Sequence, residues 1–154
     1  MLQKIEAQSK IRVEIEALWR TFAKDFTVSW AKVLPDIVTS VTILEGDGGL
    51  GTLLLLQFKP GGPTVSFQKT KIVEFDSTKH QLGLEVLEGG HLSNGFTKYI
   101  TYFKLTENGE RETFVDITVV CKPVSEEADL QAKTTKFPLL FFKSLEAYLH
   151  NADM

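Results

Sequence analysis

The chain has 154 residues, enough for one domain with a real core, and its 43% hydrophobic and 24% charged residues are ordinary for a globular protein. A net charge of -3 offers a nucleic-acid backbone no attraction, and no apolar stretch is long enough to cross a bilayer. The single cysteine, Cys121, has no partner for an internal disulfide, which fits a cytoplasmic protein, and the charge-interrupted opening Met1-Leu2-Gln3-Lys4-Ile5-Glu6 does not read as a signal peptide.

In chain order, Ile5, Ala7, Ser9, Ile11 and Val13 alternate with Lys4, Glu6, Gln8, Lys10 and Arg12, which predicts a strand with one wet face. The period then changes. Ile15, Leu18, Trp19, Phe22 and Phe26 fall at helical spacing, and Trp30, Val33, Leu34 and Ile37 predict a second short helix that Pro35 ends or bends. Val38 to Leu44 is rich in β-branched residues and predicts a strand.

"EGDGGLGT", Glu45 to Thr52, follows with Gly46, Gly48 and Gly51 at the G-x-G-x-x-G spacing of a dinucleotide-binding turn. Such a turn holds a pyrophosphate only where it opens a helix. Here it opens Thr52-Leu53-Leu54-Leu55-Leu56-Gln57-Phe58, an apolar run of strand length that stops at a Pro/Gly cluster. No Lys-Ser/Thr pair follows Gly51, so a P-loop is excluded as well. The glycines therefore join strand to strand.

Val65–Phe75 and Gln81–Leu87 predict a hairpin closed by Asp76-Ser77-Thr78-Lys79. Gly95–Leu105 and Arg111–Cys121 predict another, turning at Asn108-Gly109. A long helix closes the chain. Ser125 is its expected N-cap, with Glu126, Glu127 and Asp129 in the first turn, and Leu130, Thr134, Phe137, Phe141, Leu145 and Tyr148 mark its apolar stripe. Pro138, inside that stripe, removes the bond to the Thr134 carbonyl and should kink the helix. The predicted class is α+β, a strongly curved antiparallel sheet wrapped over a long C-terminal helix.

The inward faces decide the chemistry. Val115, Ile117 and Val119 are dry, as are Leu82, Leu84 and Val86. Lys69 and Lys71 must be wet, so Gln68 and Thr70 point in. A buried glutamine needs partners or it costs about 1–3 kcal/mol, and both a satisfied core residue and a ligand anchor meet that need. The three histidines, His80, His91 and His150, share no predicted face with one another or with Cys121, so no metal site follows. No nucleophile sits on a strand-turn-helix elbow. Tyr99 is the one titratable exception on the inner faces.

Several stretches in fixed order resemble the birch-pollen-allergen family of plant pathogenesis-related proteins, over essentially the whole chain. They are "EALW" (Glu16–Trp19), "KDF" (Lys24–Phe26), "KVLPDIV" (Lys32–Val38), "ILEGDGGLGT" (Ile43–Thr52), "EFDSTKHQLGLEVLEGGHLSNG" (Glu74–Gly95) and "YFKLTE" (Tyr102–Glu107). The chain is most similar there to the cytokinin-specific, or phytohormone-binding, proteins of legumes. The resemblance implies a single domain over residues 1–154: seven strands around the closing helix, two short helices and a large internal cavity. It implies binding of small hydrophobic plant hormones, of cytokinin or gibberellin type, with no cofactor, no metal, no nucleic-acid partner and no membrane.

The legume hormone binders carry a glutamine at the place of Gln68 and use it on ligands. They carry a glutamate where this chain has Thr70. A neutral pocket of that kind is expected to tolerate, or prefer, a ligand with its own carboxylate. The expected ligand-binding residues are Phe22, Phe26, Ile37, Leu54, Leu56, Phe58, Gln68, Thr70, Leu82, Leu84, Tyr99, Thr101, Phe137, Leu140 and Phe141. The alternative is an enzyme similar to norcoclaurine synthase of the same superfamily. The tyrosine, glutamate, lysine and aspartate of that enzyme fall on Gln68, Thr70, Leu82 and Thr101, so none is retained and the expectation is a binder without catalysis, with another specialised-metabolite enzyme on the same scaffold as the open alternative.

Overall fold

The computed structural model describes residues 2–60, 66–126 and 129–152. Its order is β1 (Gln3–Ile11), α1 (Ile15–Trp19), α2 (Phe26–Val33), β2 (Val38–Glu45), β3 (Leu53–Phe58), β4 (Phe67–Asp76), β5 (Gln81–Gly89), β6 (Phe96–Glu107), β7 (Thr113–Pro123) and α3 (Leu130–Ala152). The seven strands form one antiparallel sheet in the order β1-β7-β6-β5-β4-β3-β2. The chain crosses from one edge strand to the other through α1 and α2, and α3 packs on the inner face.

Each boundary has a local cause. The Glu14 carboxylate accepts from the Glu16 and Ala17 amides, both at 3.0 Å, and so starts α1. A π-helical turn, Arg20–Lys24, separates α1 from α2, which places Phe26 at the start of α2 rather than at the end of the first helix. α2 stops at Val33, ahead of Pro35. In the β4–β5 turn, Asp76 Oδ1 accepts from the Thr78 and Lys79 amides at 3.0 Å each. Gly109 takes the positive φ that the β6–β7 turn needs.

α3 differs from expectation at its start. It begins at Leu130, where the Asp129 carbonyl accepts from the Lys133 amide at 2.9 Å, so Ser125 and Glu126 lie ahead of the helix instead of capping it. The expected strand start at Val65 and the first-turn Glu127 lie outside the described residues.

The glycine turn is structural. Gly46, Gly48 and Gly51 all have positive φ, and a Cβ at Gly46 would stand 2.7 Å from Thr52 Oγ1. Its amides are already engaged: Gly48 N–H donates to Thr52 Oγ1, Gly49 N–H to Asp47 Oδ1 and Gly51 N–H to the Ile72 carbonyl. Donors turned onto the turn's own chain are not free for a phosphate.

The core runs along the inner face. Ile11, Val115, Ile117 and Val119 of β1 and β7 are fully buried beneath Phe142 and Leu145 of α3. Leu18, Trp19 and Phe22 plug one end. No helix among the described residues is long and apolar enough to cross a membrane.

Candidate functional site

Between the sheet and α3 lies a cavity of about 90 Å³. Leu56 of β3, Gln68 and Thr70 of β4, Leu84 and Val86 of β5, and Tyr99, Thr101 and Phe103 of β6 form its floor. Phe22, Trp30, Leu34 and Val38 close one side, and Phe137, Pro138 and Phe141 of α3 close the top. The cavity is smaller than the roughly 300–1,000 Å³ of most ligand pockets. Aromatic rings account for the difference. Phe22 lies 6.1 Å from Trp30 and 5.9 Å from Phe141, and Trp30 and Phe141 meet edge to face at 5.7 Å. The Trp30 indole is fixed by a 3.0 Å bond from Nε1 to the Phe22 carbonyl.

The polar groups gather at the opposite end. The Gln68 amide nitrogen donates to Thr70 Oγ1 at 3.1 Å. The Tyr99 hydroxyl donates to the Thr134 carbonyl at 3.3 Å. That carbonyl is the one Pro138 cannot satisfy within the helix, so the proline supplies the acceptor that holds the phenol. The His91 ring stacks flat on Tyr99, with centroids 3.7 Å apart and planes 5° apart.

Burial lowers the His91 pKa to about 4, with a smaller contribution from the nearby Lys133 charge. Burial also pushes the Tyr99 phenol well above its ordinary range, with Cys121 adding to the effect. At neutral pH the imidazole is therefore uncharged and the phenol protonated. Among the described residues, no three His, Cys, Asp or Glu side chains are placed to hold a metal ion.

Phe22, Leu56, Gln68, Thr70, Leu84, Tyr99, Thr101, Phe137 and Phe141 line the cavity. The other expected residues do not. Leu54 and Leu82 point inward but are buried in the solid core beyond the cavity. Phe26 packs against Trp30 at 5.9 Å, behind the wall. Ile37 and Phe58 pack half-buried on the core, and Leu140 faces outward from α3. Alternation identifies a face but not how far along it the packing gives way.

Trp30, Leu34, Val38, Val86, Phe103, Pro138 and His91 also line the cavity. His91 is the consequential omission. It sits on a 3-10 turn, Gly90–Ser93, after β5. Gly89 and Gly90 both take positive φ, and a Cβ at Gly90 would overlap the Gln68 side-chain amide. The Gly-Gly pair of "LEGGHL" was the available signal, since glycine beside a strand marks a close backbone approach.

Norbelladine synthase of Narcissus pseudonarcissus is 27% identical over 141 residues, covering 91% of this chain and 86% of that protein. The structure of norcoclaurine synthase from Thalictrum flavum, in complex with dopamine and hydroxybenzaldehyde, superposes with a TM-score of 0.77 at 18% identity, covering 98% of this chain and 88% of the other. The structure of Ara h 8.0201 superposes with a TM-score of 0.84 at 20% identity, covering 98% and 99%.

A synthase among the relatives overturns the expectation that this chain is no enzyme. That expectation rested on four positions, Gln68, Thr70, Leu82 and Thr101. Their residues exclude one set of catalytic groups, not catalysis on the scaffold. It also counted too few titratable groups inside, because His91 enters from a turn rather than from a strand face. The pathogenesis-related protein Bet v 1 family matches residues 1–152. A curved sheet closed by one long helix, with an internal cavity for small hydrophobic molecules, is that family's ligand-binding scaffold, and this chain belongs to the Bet v 1 family.

Proposed function

We propose that the protein captures a small, flat, neutral plant hormone of cytokinin type in this cavity. One observation carries the reading: a largely apolar enclosure brings together Gln68, bonded to Thr70 and lying against Gly90, and His91, stacked on Tyr99. A planar aminopurine offers donors and acceptors on one edge and an apolar tail on the other, which matches that division. One aromatic ring buries roughly 150–250 Å². At about 25 cal/mol per Å² that stabilises the complex by roughly 4–6 kcal/mol. A gibberellin is bulkier than an aminopurine hormone and carries a carboxylate, so it has to displace the α3 wall further. The chain's unpaired Cys121, buried in β7, fits a cytoplasmic location.

Calorimetric titration tests the reading, with Trp30 fluorescence as a second signal because its indole lines the cavity. trans-Zeatin should bind and change the emission, and a gibberellin should bind about tenfold or more weakly. Absence of heat and of emission change with both hormones and with an apolar dye would remove capture as the function.

A second reading rests on His91 and Tyr99, two titratable groups inside the cavity. The neutral imidazole can accept a proton and the phenol can give one, each against a pKa that burial moves away from neutrality. Turnover of dopamine with 4-hydroxybenzaldehyde, followed by chromatography, tests it. Product above the uncatalysed rate supports the synthase reading, and its absence rejects this substrate pair.

A further inference from the structure

We propose that His91 is the hydrogen-bond acceptor that selects the molecule held in the cavity, favouring ligands with an acidic O–H or N–H, phenols and N–H azoles, over their methylated counterparts. This assignment rests on the capture proposed above and specifies its chemistry.

The first support is placement. The turn through Gly89 and Gly90 folds the chain against Gln68 and brings His91 to the polar end of the cavity. The second is orientation. The ring lies flat on Tyr99 at 3.7 Å with its edge toward Phe96 at 6.0 Å, and these contacts fix its plane. The third is an orphaned atom. His91 Nδ1 is buried with no hydrogen-bond partner among the described residues. A buried polar atom in that state calls for an explanation. The other such atom, Trp19 Nε1, belongs to a residue outside the cavity wall.

The Tyr99 hydroxyl already donates to the Thr134 carbonyl, and the Gln68 amide nitrogen to Thr70. The phenol and one Gln68 N–H are thus turned onto the protein; the second Gln68 N–H and the Thr70 hydroxyl remain as donors, and the Gln68 carbonyl oxygen and the imidazole lone pair as acceptors for a ligand. The imidazole is neutral, so one of its nitrogens carries a lone pair. A phenol near pKa 10 does not surrender its proton to an imidazole near 4. The contact is a neutral hydrogen bond, and no ion forms in a poorly solvated space.

The test compares 4-ethylphenol with 4-ethylanisole, which differ only by the O–H replaced with O–CH3. The wild type should prefer the phenol by about tenfold, the usual worth of one buried hydrogen bond. His91→Phe keeps a ring on Tyr99 and removes the acceptor. It should abolish most of that preference, read as the phenol-to-anisole affinity ratio within the variant. An unchanged phenol-to-anisole ratio in the variant overturns the assignment while capture stands. If neither probe nor an apolar dye binds the wild type, capture itself fails, and the assignment with it. Nitrogen NMR of the wild-type imidazole gives a readout independent of the variant's folding. Its Nδ1 resonance should move with 4-ethylphenol and stay with 4-ethylanisole, and equal movement with both overturns the proposal.

Discussion

Gln68 and His91 act on the same end of the cavity by different means. Gln68 brings an amide that already donates to Thr70 Oγ1 at 3.1 Å, and its carbonyl oxygen lies against Gly90. Gln68→Leu keeps the volume and removes both functions, so a polar ligand should weaken by about 1–3 kcal/mol while an apolar dye is barely affected. Titration of both ligands into both proteins checks this, and parallel losses would mean a general packing defect. His91 has a consequence for stability. Its folded pKa of about 4 lies below the ordinary 6.5, so between those values the unfolded chain holds the extra proton. Stability is then constant above about pH 6.5 and falls with pH toward 4, by up to about 3 kcal/mol from this one group. Urea midpoints at pH 4.5 and 7 should converge in His91→Phe relative to the wild type. The sequence showed Gln68 and Thr70 through their alternation with Lys69 and Lys71. It hid His91, because a side chain delivered by a turn has no periodicity to read.

α3 is built around its proline. Pro138 leaves the Thr134 carbonyl without its helical donor, and Tyr99 of β6 takes the place of that donor. The Thr134 hydroxyl turns the other way, to the Leu130 carbonyl at 2.8 Å. Pro138→Ala restores an amide that competes for the Thr134 carbonyl. The helix should gain stability, and the Tyr99 hydroxyl should become available to a ligand acceptor. Thermal unfolding should show a Tm higher by a few degrees, about 1 kcal/mol. Affinity for an apolar carbonyl probe such as acetophenone should rise in parallel. A raised Tm with unchanged affinity would show that the phenol stays where it is. Helix α3 itself was legible from its apolar stripe, and so was the freed carbonyl. Its start was not, because Ser125 and Glu126 carry the residue types of a cap without adopting the geometry.

Across the whole molecule the fold follows from a few period changes: alternation in β1, helical spacing through α1 and α2, then six strands separated by turn chemistry, then helical spacing again. The cavity does not follow in the same way. Its volume is what remains after Phe22, Trp30, Phe103 and Phe141 have packed, and a residual space has no pattern of its own. The two halves of α3 meet that space differently. Phe142 and Leu145 are fully buried on the core, so removing either should cost about 2–5 kcal/mol. Phe137 is 37% exposed and Leu140 44% exposed, so the half that roofs the cavity is held by fewer buried contacts. A ligand larger than the roughly 90 Å³ available should therefore lift the segment around Phe137 to Phe141 and leave the remainder of the helix seated. Hydrogen exchange should report this as altered protection at residues 134–141 on binding trans-zeatin, with residues 142–149 unchanged. Phe137→Ala enlarges the roof opening without touching the core. It should speed association with little loss of stability, whereas Phe142→Ala should destabilise the fold by about 3–5 kcal/mol. Equal exchange changes along the whole of α3 would mean that the helix moves as one rigid piece, and the division at Pro138 would have no part in admitting the ligand.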